Sequence, residues 1–210
     1  MKNLLKVVVG LLCLVGVAHA ELVAPDVLIK STVDEVLTIV RQDKDIQAGN
    51  QKKILAMVES KVLPHFDFVH MTQLAVGKHW RAATPTQRQA LASEFRNMLV
   101  RTYTKAFTVY RDQAVEIKPL KLAADATEVT VKTTINKPGA SPIPVNYEME
   151  KISDSWKVFD LTIEGVSLVT SYRGTFASEI QERGIDGLIK TLSDKNANAV
   201  DVALHKADAK

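Results

Sequence analysis

Residues 156–176 read WKVFDLTIEGVSLVTSYRGTF, and the fold turns on how this stretch is interpreted. Trp156 and Val158 alternate onto one face of a strand; Phe159, Leu161 and Ile163 then alternate onto the other. The change of phase predicts a bulge, or a strand that leaves one covered face for another. Gly165 ends the strand, and Leu168, Val169, Tyr172 and Phe176 recur at helical spacing. The strand is therefore expected to feed directly into a helix. A helix that starts where a sheet ends roofs one side of that sheet and leaves a cleft at the angle between them. Periodicity alone does not say whether side chains or a ligand fill such a cleft.

Upstream of this junction lie three more half-buried strands. Val115 and Ile117 alternate with Glu116 and Lys118. Val129, Val131, Thr133 and Ile135 alternate with polar neighbours, as do Ile143, Val145, Tyr147 and Met149. Polar turns join them, so the sequence predicts an antiparallel meander of four strands with one wet face. Pro144 suggests an edge or a bulge.

Helices precede the meander. Leu28, Ile29, Val33, Val36, Leu37 and Val40 mark an amphipathic helix from Pro25 to Arg41, and Ile54, Leu55, Val58, Val62 and Leu63 mark a second that Pro64 stops. Asp67 is a predicted N-cap and Gly77 a predicted C-terminal stop. Thr84, Pro85 and Gln87 compose a capping box with proline at the first helical position. The helix it opens carries Leu91, Phe95, Leu99, Tyr103, Phe107 and Tyr110 on one stripe. A wide aromatic stripe needs a broad partner, and a curved sheet supplies one. Past the junction, the helix is expected to end near Gly184, with Asp186 capping a short final helix and a polar, frayed tail from about residue 196. The fold class is α+β: a twisted four-stranded antiparallel sheet wrapped by helices on one core.

The first twenty residues read as an export signal. Lys2 and Lys6 precede an apolar run, and Ala18-His19-Ala20 is a cleavage site, so cleavage is expected after Ala20, leaving a single domain over 21–210. The run is shorter than the roughly 20 apolar residues that span a bilayer. The one cysteine, Cys13, lies inside it, so the mature chain has no thiol for disulfides, catalysis or metal ligation. Loss of Lys2 and Lys6 lowers the net charge from +3 to +1. A nearly neutral chain without a basic run interleaved with aromatics is not a nucleic-acid binder. The expected compartment is the periplasm.

Three constellations invite chemistry. His65, Asp67 and His70 resemble a ligand set, but residues five apart diverge by about 140° on a helix, and Asp67 is more simply a cap. His79 with Asp160 or Glu164 offers an acid–base pair in a pocket of the ketosteroid-isomerase kind, yet no nucleophile motif accompanies it. Glu164 and Arg173 read as a structural pair at the junction, or Arg173 as a cation at a cavity mouth.

Four blocks together resemble the MlaC (toluene-tolerance) family of periplasmic phospholipid carriers of the Mla pathway. They are VLPHFDF at 62–68, LAVGKHWRAATPTQRQALASEFRNMLVRTY at 74–103, the opening stretch at 156–176, and RGIDGLIKTL at 183–192. The combination G-x-x-W-R-x-A-T-P-x-Q followed by E-G-V-S-L is far more specific than any short motif. His65 stands where the family more often has an aromatic residue.

The resemblance implies helices around a twisted sheet with a deep pocket for the acyl tails, the headgroup staying at the mouth. It implies no enzymatic activity and no cofactor, with phospholipid as the bound ligand. The implied partners are an outer-membrane lipoprotein–porin complex and an inner-membrane ABC transporter with an MCE-domain ring, and the implied role is to maintain outer-membrane lipid asymmetry as a monomer. The expected walls are Leu99, Tyr103 and Phe107 from the long helix; Val131, Tyr147 and Met149 from the sheet; and Val166, Val169 and Tyr172 from the junction, with Arg173 at the rim. Val166, just past Gly165, is expected to look into the gap. The competing readings are a pocket enzyme of NTF2/ketosteroid-isomerase shape and a ligand-free periplasmic adaptor.

Overall fold

A computed structural model describes residues 22–104, 113–136 and 138–208, with side chains to residue 197. Helix α1 spans Pro25–Gln42, with proline in the first turn. A short α2 (Lys44–Gln47) follows, its amides held by the Asp43 carboxylate. Helix α3 (Gln51–Met57) continues through a π-turn over Val58–Val62 and a 3-10 turn over Leu63–His65. Asp67 caps α4 (Phe68–Val76) by accepting from the His70 amide at 2.9 Å. Helix α5 (Pro85–Tyr103) opens with the capping box of Thr84 and Gln87, both reciprocal bonds present. The expected continuation through Phe107 and Tyr110 lies outside the described residues.

The sheet is a meander in the order β1-β2-β3-β4-β5, all neighbours antiparallel. Its strands are β1 (Ala114–Ile117), β2 (Glu128–Asn136), β3 (Ile143–Ile152), β4 (Ser155–Ile163) and β5 (Val166–Ser167). The phase change in β4 is a bulge. Glu148 pairs with Asp160 and Met149 with Val158, leaving Phe159 as the extra residue. The bulge returns Leu161 and Ile163 to the face that Val158 occupies and turns Asp160 to the other. Pro144 lies in an interior strand, not an edge. It is tolerated because the β3–β4 ladder begins one residue later, at Val145 opposite Ile163.

The junction differs from expectation. The chain does not pass from Gly165 straight into a helix: Glu164 (φ 51) and Gly165 (φ 83) are consecutive left-handed residues in a two-residue hairpin that pairs Ile163 with Val166. A two-residue strand has no alternation to read. After a 3-10 turn at Thr170–Tyr172, helix α6 runs over Arg173–Asp208, broken at Gly184 (φ 72, ψ −179). The break is where the sequence put it, but the second half continues as helix past residue 196, where a tail is expected. Asp186 accepts from the Gln87 side chain at 2.8 Å, tying that half to the start of α5.

Among the described residues the buried hydrophobic side chains form three clusters instead of one. The first packs α4, α5 and α6 around Phe95, whose ring meets Tyr172 and Phe176 edge-on at 5.3 and 5.2 Å. A second joins α1, α2 and α3 with Val100. The third packs Ile29 of α1 on Val131, Met149, Trp156 and Val158.

Candidate functional site

A cavity of about 510 Å³ borders all three clusters, the first and third of which are bridged by Phe66 and Leu161. Its wall takes Met71, Leu99 and Leu168 from the first cluster, Val36, Val40, Val58 and Val100 from the second, and Ile29 and Val158 from the third. The sheet adds Val115, Ile135, Ile143, Val145, Tyr147, Leu161 and Ile163. These residues share the inner face by register, and the bulge at Phe159 is what lets Val158, Leu161 and Ile163 do so. Without that extra residue Asp160 and Thr162 would face the void.

Two lining residues are solvent-exposed: Tyr103, at the end of α5, and Glu164, in the β4–β5 hairpin. They mark the mouth. It lies at the end of the sheet where β1 begins, β2 ends and β4 turns back. The polar wall residues are few. The Tyr147 phenol lies deep enough for burial to push it up to about 12, the Thr133 hydroxyl pulling it the other way. Thr133 Oγ1 itself donates a hydrogen bond to Val145 O at 2.8 Å. Burial likewise pushes Tyr172 up to about 12, reinforced by the charge of Tyr103 and a hydrogen bond to it. His65 lines the floor; burial lowers its pKa, nearby Lys157 lowers it further, and Glu35 opposes both.

Of the residues expected in the wall, Leu99, Tyr103 and Tyr147 line the cavity. Val131 and Met149 are fully buried in the third cluster, and Val169 in the first. Tyr172 stands behind Tyr103. Phe107 lies outside the described residues. Val166 is 62 % exposed instead of facing the gap, because the hairpin turns it outward beside its partner Ile163. Arg173 is not at the mouth: its Nε donates to Leu74 O at 3.0 Å and its stem lies against Gly77. The expected Glu164–Arg173 pair is replaced by this contact, since β5 and the 3-10 turn carry Arg173 away. The whole α1 wall was missed. Its stripe was legible, but nothing in it told a cavity face from a packed one.

The acid–base reading finds no support in the geometry. Asp160 is buried, accepting from Ser167 Oγ at 2.5 Å, Leu161 N at 2.8 Å and Val169 N at 3.1 Å. Among the described residues no three His, Cys, Asp or Glu side chains are grouped to hold a metal, and no helix is long and apolar enough to cross a membrane.

A cavity this size, with a predominantly apolar wall and few polar side chains, belongs to a protein that shelters an apolar ligand. The chain belongs to the MlaC protein family, whose model matches residues 30–194. It is similar to the toluene tolerance protein ttg2D of Pseudomonas putida, at 28% identity over 88% of this chain and 85% of that one. It is also similar to the intermembrane phospholipid transport system binding protein MlaC of Haemophilus influenzae, at 21% identity over 84% of each. A phospholipid-binding protein from Ralstonia solanacearum, solved in complex with a phospholipid, shares the fold with a TM-score of 0.77 and 37% identity. The match covers 86% of this chain and 99% of that one.

Proposed function

We propose that the protein is a periplasmic carrier that takes up single phospholipids, shields their acyl tails in the cavity and delivers them to another membrane. The observation that carries this reading is the apolar void that residues of all three hydrophobic clusters line. Leaving apolar side chains facing empty space forfeits packing, and a bound tail restores it.

Exposing a methylene to water costs about 0.8 kcal/mol, so a two-tailed lipid with roughly 30 of them would lose on the order of 20 kcal/mol crossing bare. A carrier must recover most of that without exceeding the bilayer, or it could not unload. An apolar wall with few polar hooks meets both demands. It performs no bond chemistry, so it is not an enzyme.

Leu99, Tyr103 and Tyr147 contact the tails in this reading, and Phe107 is assigned with them. Val131, Met149 and Val169 back the wall, and Tyr172 holds Tyr103 at the mouth. Val166 borders the lip that an entering tail crosses, and Arg173 braces the 3-10 turn through Leu74. The donors and acceptors of lipid are an outer-membrane lipoprotein–porin complex and an inner-membrane ABC transporter with an MCE-domain ring, which the protein meets as a monomer. The traffic keeps the outer membrane asymmetric.

Transfer of a fluorescent phospholipid between vesicle populations tests the carrier role. The protein is expected to accelerate transfer, and Val145→Glu, which buries an unpaired charge in the wall, to abolish the acceleration. Transfer no faster than without protein would refute it.

A further inference from the structure

The cavity has a definite deep end. From the mouth, β4 lines it with Ile163, Leu161 and Val158, and the next inward-facing residue, Trp156, is packed in the third cluster. Helix α5 lines it from Tyr103 down to Leu99. Between these two limits stand Phe66 and Phe68, both in the wall, their rings stacked with centroids 5.9 Å apart. Phe66 is bridged to Val158, and the Asp67 amide donates to Val158 O at 2.9 Å, so the pair is tied to the sheet.

Behind the pair is a charge. Arg96 lies one helical turn past Val100 on the same stripe of α5, and Val100 lines the cavity while Arg96 does not. Its guanidinium lies over the Phe68 ring instead, 5.8 Å from the centroid, within the range of a cation–π contact. Glu59 at 3.8 Å and Asn97, whose Oδ1 accepts from Nη1 at 3.2 Å, also hold it there. The Arg96 side chain is 34% exposed, so the ring of Phe68 separates an apolar void from a hydrated cation. A tail that pushed past this ring would drive methylenes against a solvated ion pair, which costs free energy at every step.

We propose that Phe68, positioned by Arg96, is an end stop that limits the length of acyl tail the cavity accepts. This rests on the carrier reading above. An end stop has a consequence that a side wall lacks. A longer tail cannot go deeper, so its extra methylenes remain at the mouth, in water.

The test offers lipid-free protein vesicles holding equal parts of phosphatidylglycerols whose two tails are matched and monounsaturated. The tails run from myristoleoyl through palmitoleoyl, oleoyl and eicosenoyl to erucoyl, and bound lipid is read by mass spectrometry after extraction. Wild type is expected to show a cut-off, with uptake falling roughly fourfold for each methylene that no longer fits, the equivalent of about 0.8 kcal/mol. Phe68→Ala removes the stop, and Arg96→Ala frees the ring to swing into the vacated space. Both are expected to move the cut-off to longer tails, raising the ratio of eicosenoyl to palmitoleoyl lipid by about fourfold or more. Arg96→Lys keeps a cation over the ring and is expected to keep the wild-type cut-off. Wild type loading every length equally overturns the inference. So does a cut-off that stays in place in Phe68→Ala or Arg96→Ala, or one that moves in Arg96→Lys; the carrier role stands in each of these cases. No uptake of any length by wild type overturns the carrier role itself, and this inference with it.

Discussion

The Ser167 hydroxyl donates to the Asp160 carboxylate at 2.5 Å, and through this bond the β4–β5 hairpin is held against the strand it leaves. Asp160 also accepts the amides of Leu161 and Val169, while Ser167 Oγ accepts the amide of Thr170 at 3.0 Å. The bulge at Phe159 aims Asp160 toward this junction, so a single inserted residue sets both the cavity face and the clamp behind it. Asp160→Asn replaces the charged acceptor of the Ser167 hydroxyl by an NH2 group, so the charge-assisted bond is lost and Ser167 Oγ, which already accepts the Thr170 amide, has to reorient; it is expected to cost about 1–3 kcal/mol of unfolding free energy. Urea unfolding of the lipid-free protein measures it; an unchanged midpoint would remove Asp160 from this role.

The wall and the cluster behind it should answer differently to truncation. Met149→Ala deletes a fully buried side chain from the third cluster and is expected to cost about 2–5 kcal/mol. Leu161→Ala removes a side chain that already borders a void, leaving less new empty space, so its cost should be about half that or less. Paired urea curves on lipid-free protein check the ordering. Equal losses would mean that the cavity is closed in solution.

The phenols of Tyr147 and Tyr172 are pushed up to about 12. Burial is the main cause in both, and it raises the folded pKa above the unfolded one. Their contribution to stability is therefore complete below pH 10 and is lost as pH rises toward 12. Ultraviolet titration should show late phenols, with Tyr147→Phe and Tyr172→Phe each removing one. A titration that neither substitution changes in its late part contradicts the burial of these rings.

His65 behaves in the opposite sense. Burial and Lys157 hold its folded pKa below 6.5, with Glu35 only partly compensating. Glu35 is itself engaged by Lys61 at 2.5 Å, and Lys157 donates to Pro64 O at 2.6 Å. The folded state resists taking up the proton, so this part of the stability is present above about pH 6.5 and is lost as pH falls through the lowered value. The urea midpoint of wild type is expected to drop more steeply below pH 6.5 than that of His65→Phe. Parallel curves would exclude His65 as the source.

Much of this architecture could be read from the chain because local chemistry enforces it. Thr84, Pro85 and Gln87 specify a helix start without help from the rest of the protein, and the alternations in β2 and β3 specify a sheet with one covered face. The phase slip after Val158 left a bulge or a change of covered face open, and the register decides for the bulge. The mouth was harder, because the Glu164-Gly165 hairpin leaves only two residues in β5, and that sent Val166 and Arg173 to the wrong surroundings. The α5 stripe shows why wall and core could not be separated in advance. Phe95 and Leu99 follow one periodicity, yet Phe95 is locked between Tyr172 and Phe176 while Leu99 faces the void. What distinguishes them is the distance to the next element, which no single helix encodes.

The most direct test of the carrier reading is native mass spectrometry of protein purified without detergent, followed by solvent extraction of the same sample. The expected result is a mass increment equal to a phospholipid, identified in the extract. A protein that flies at its bare mass, and stays there after incubation with phospholipid vesicles, would contradict it.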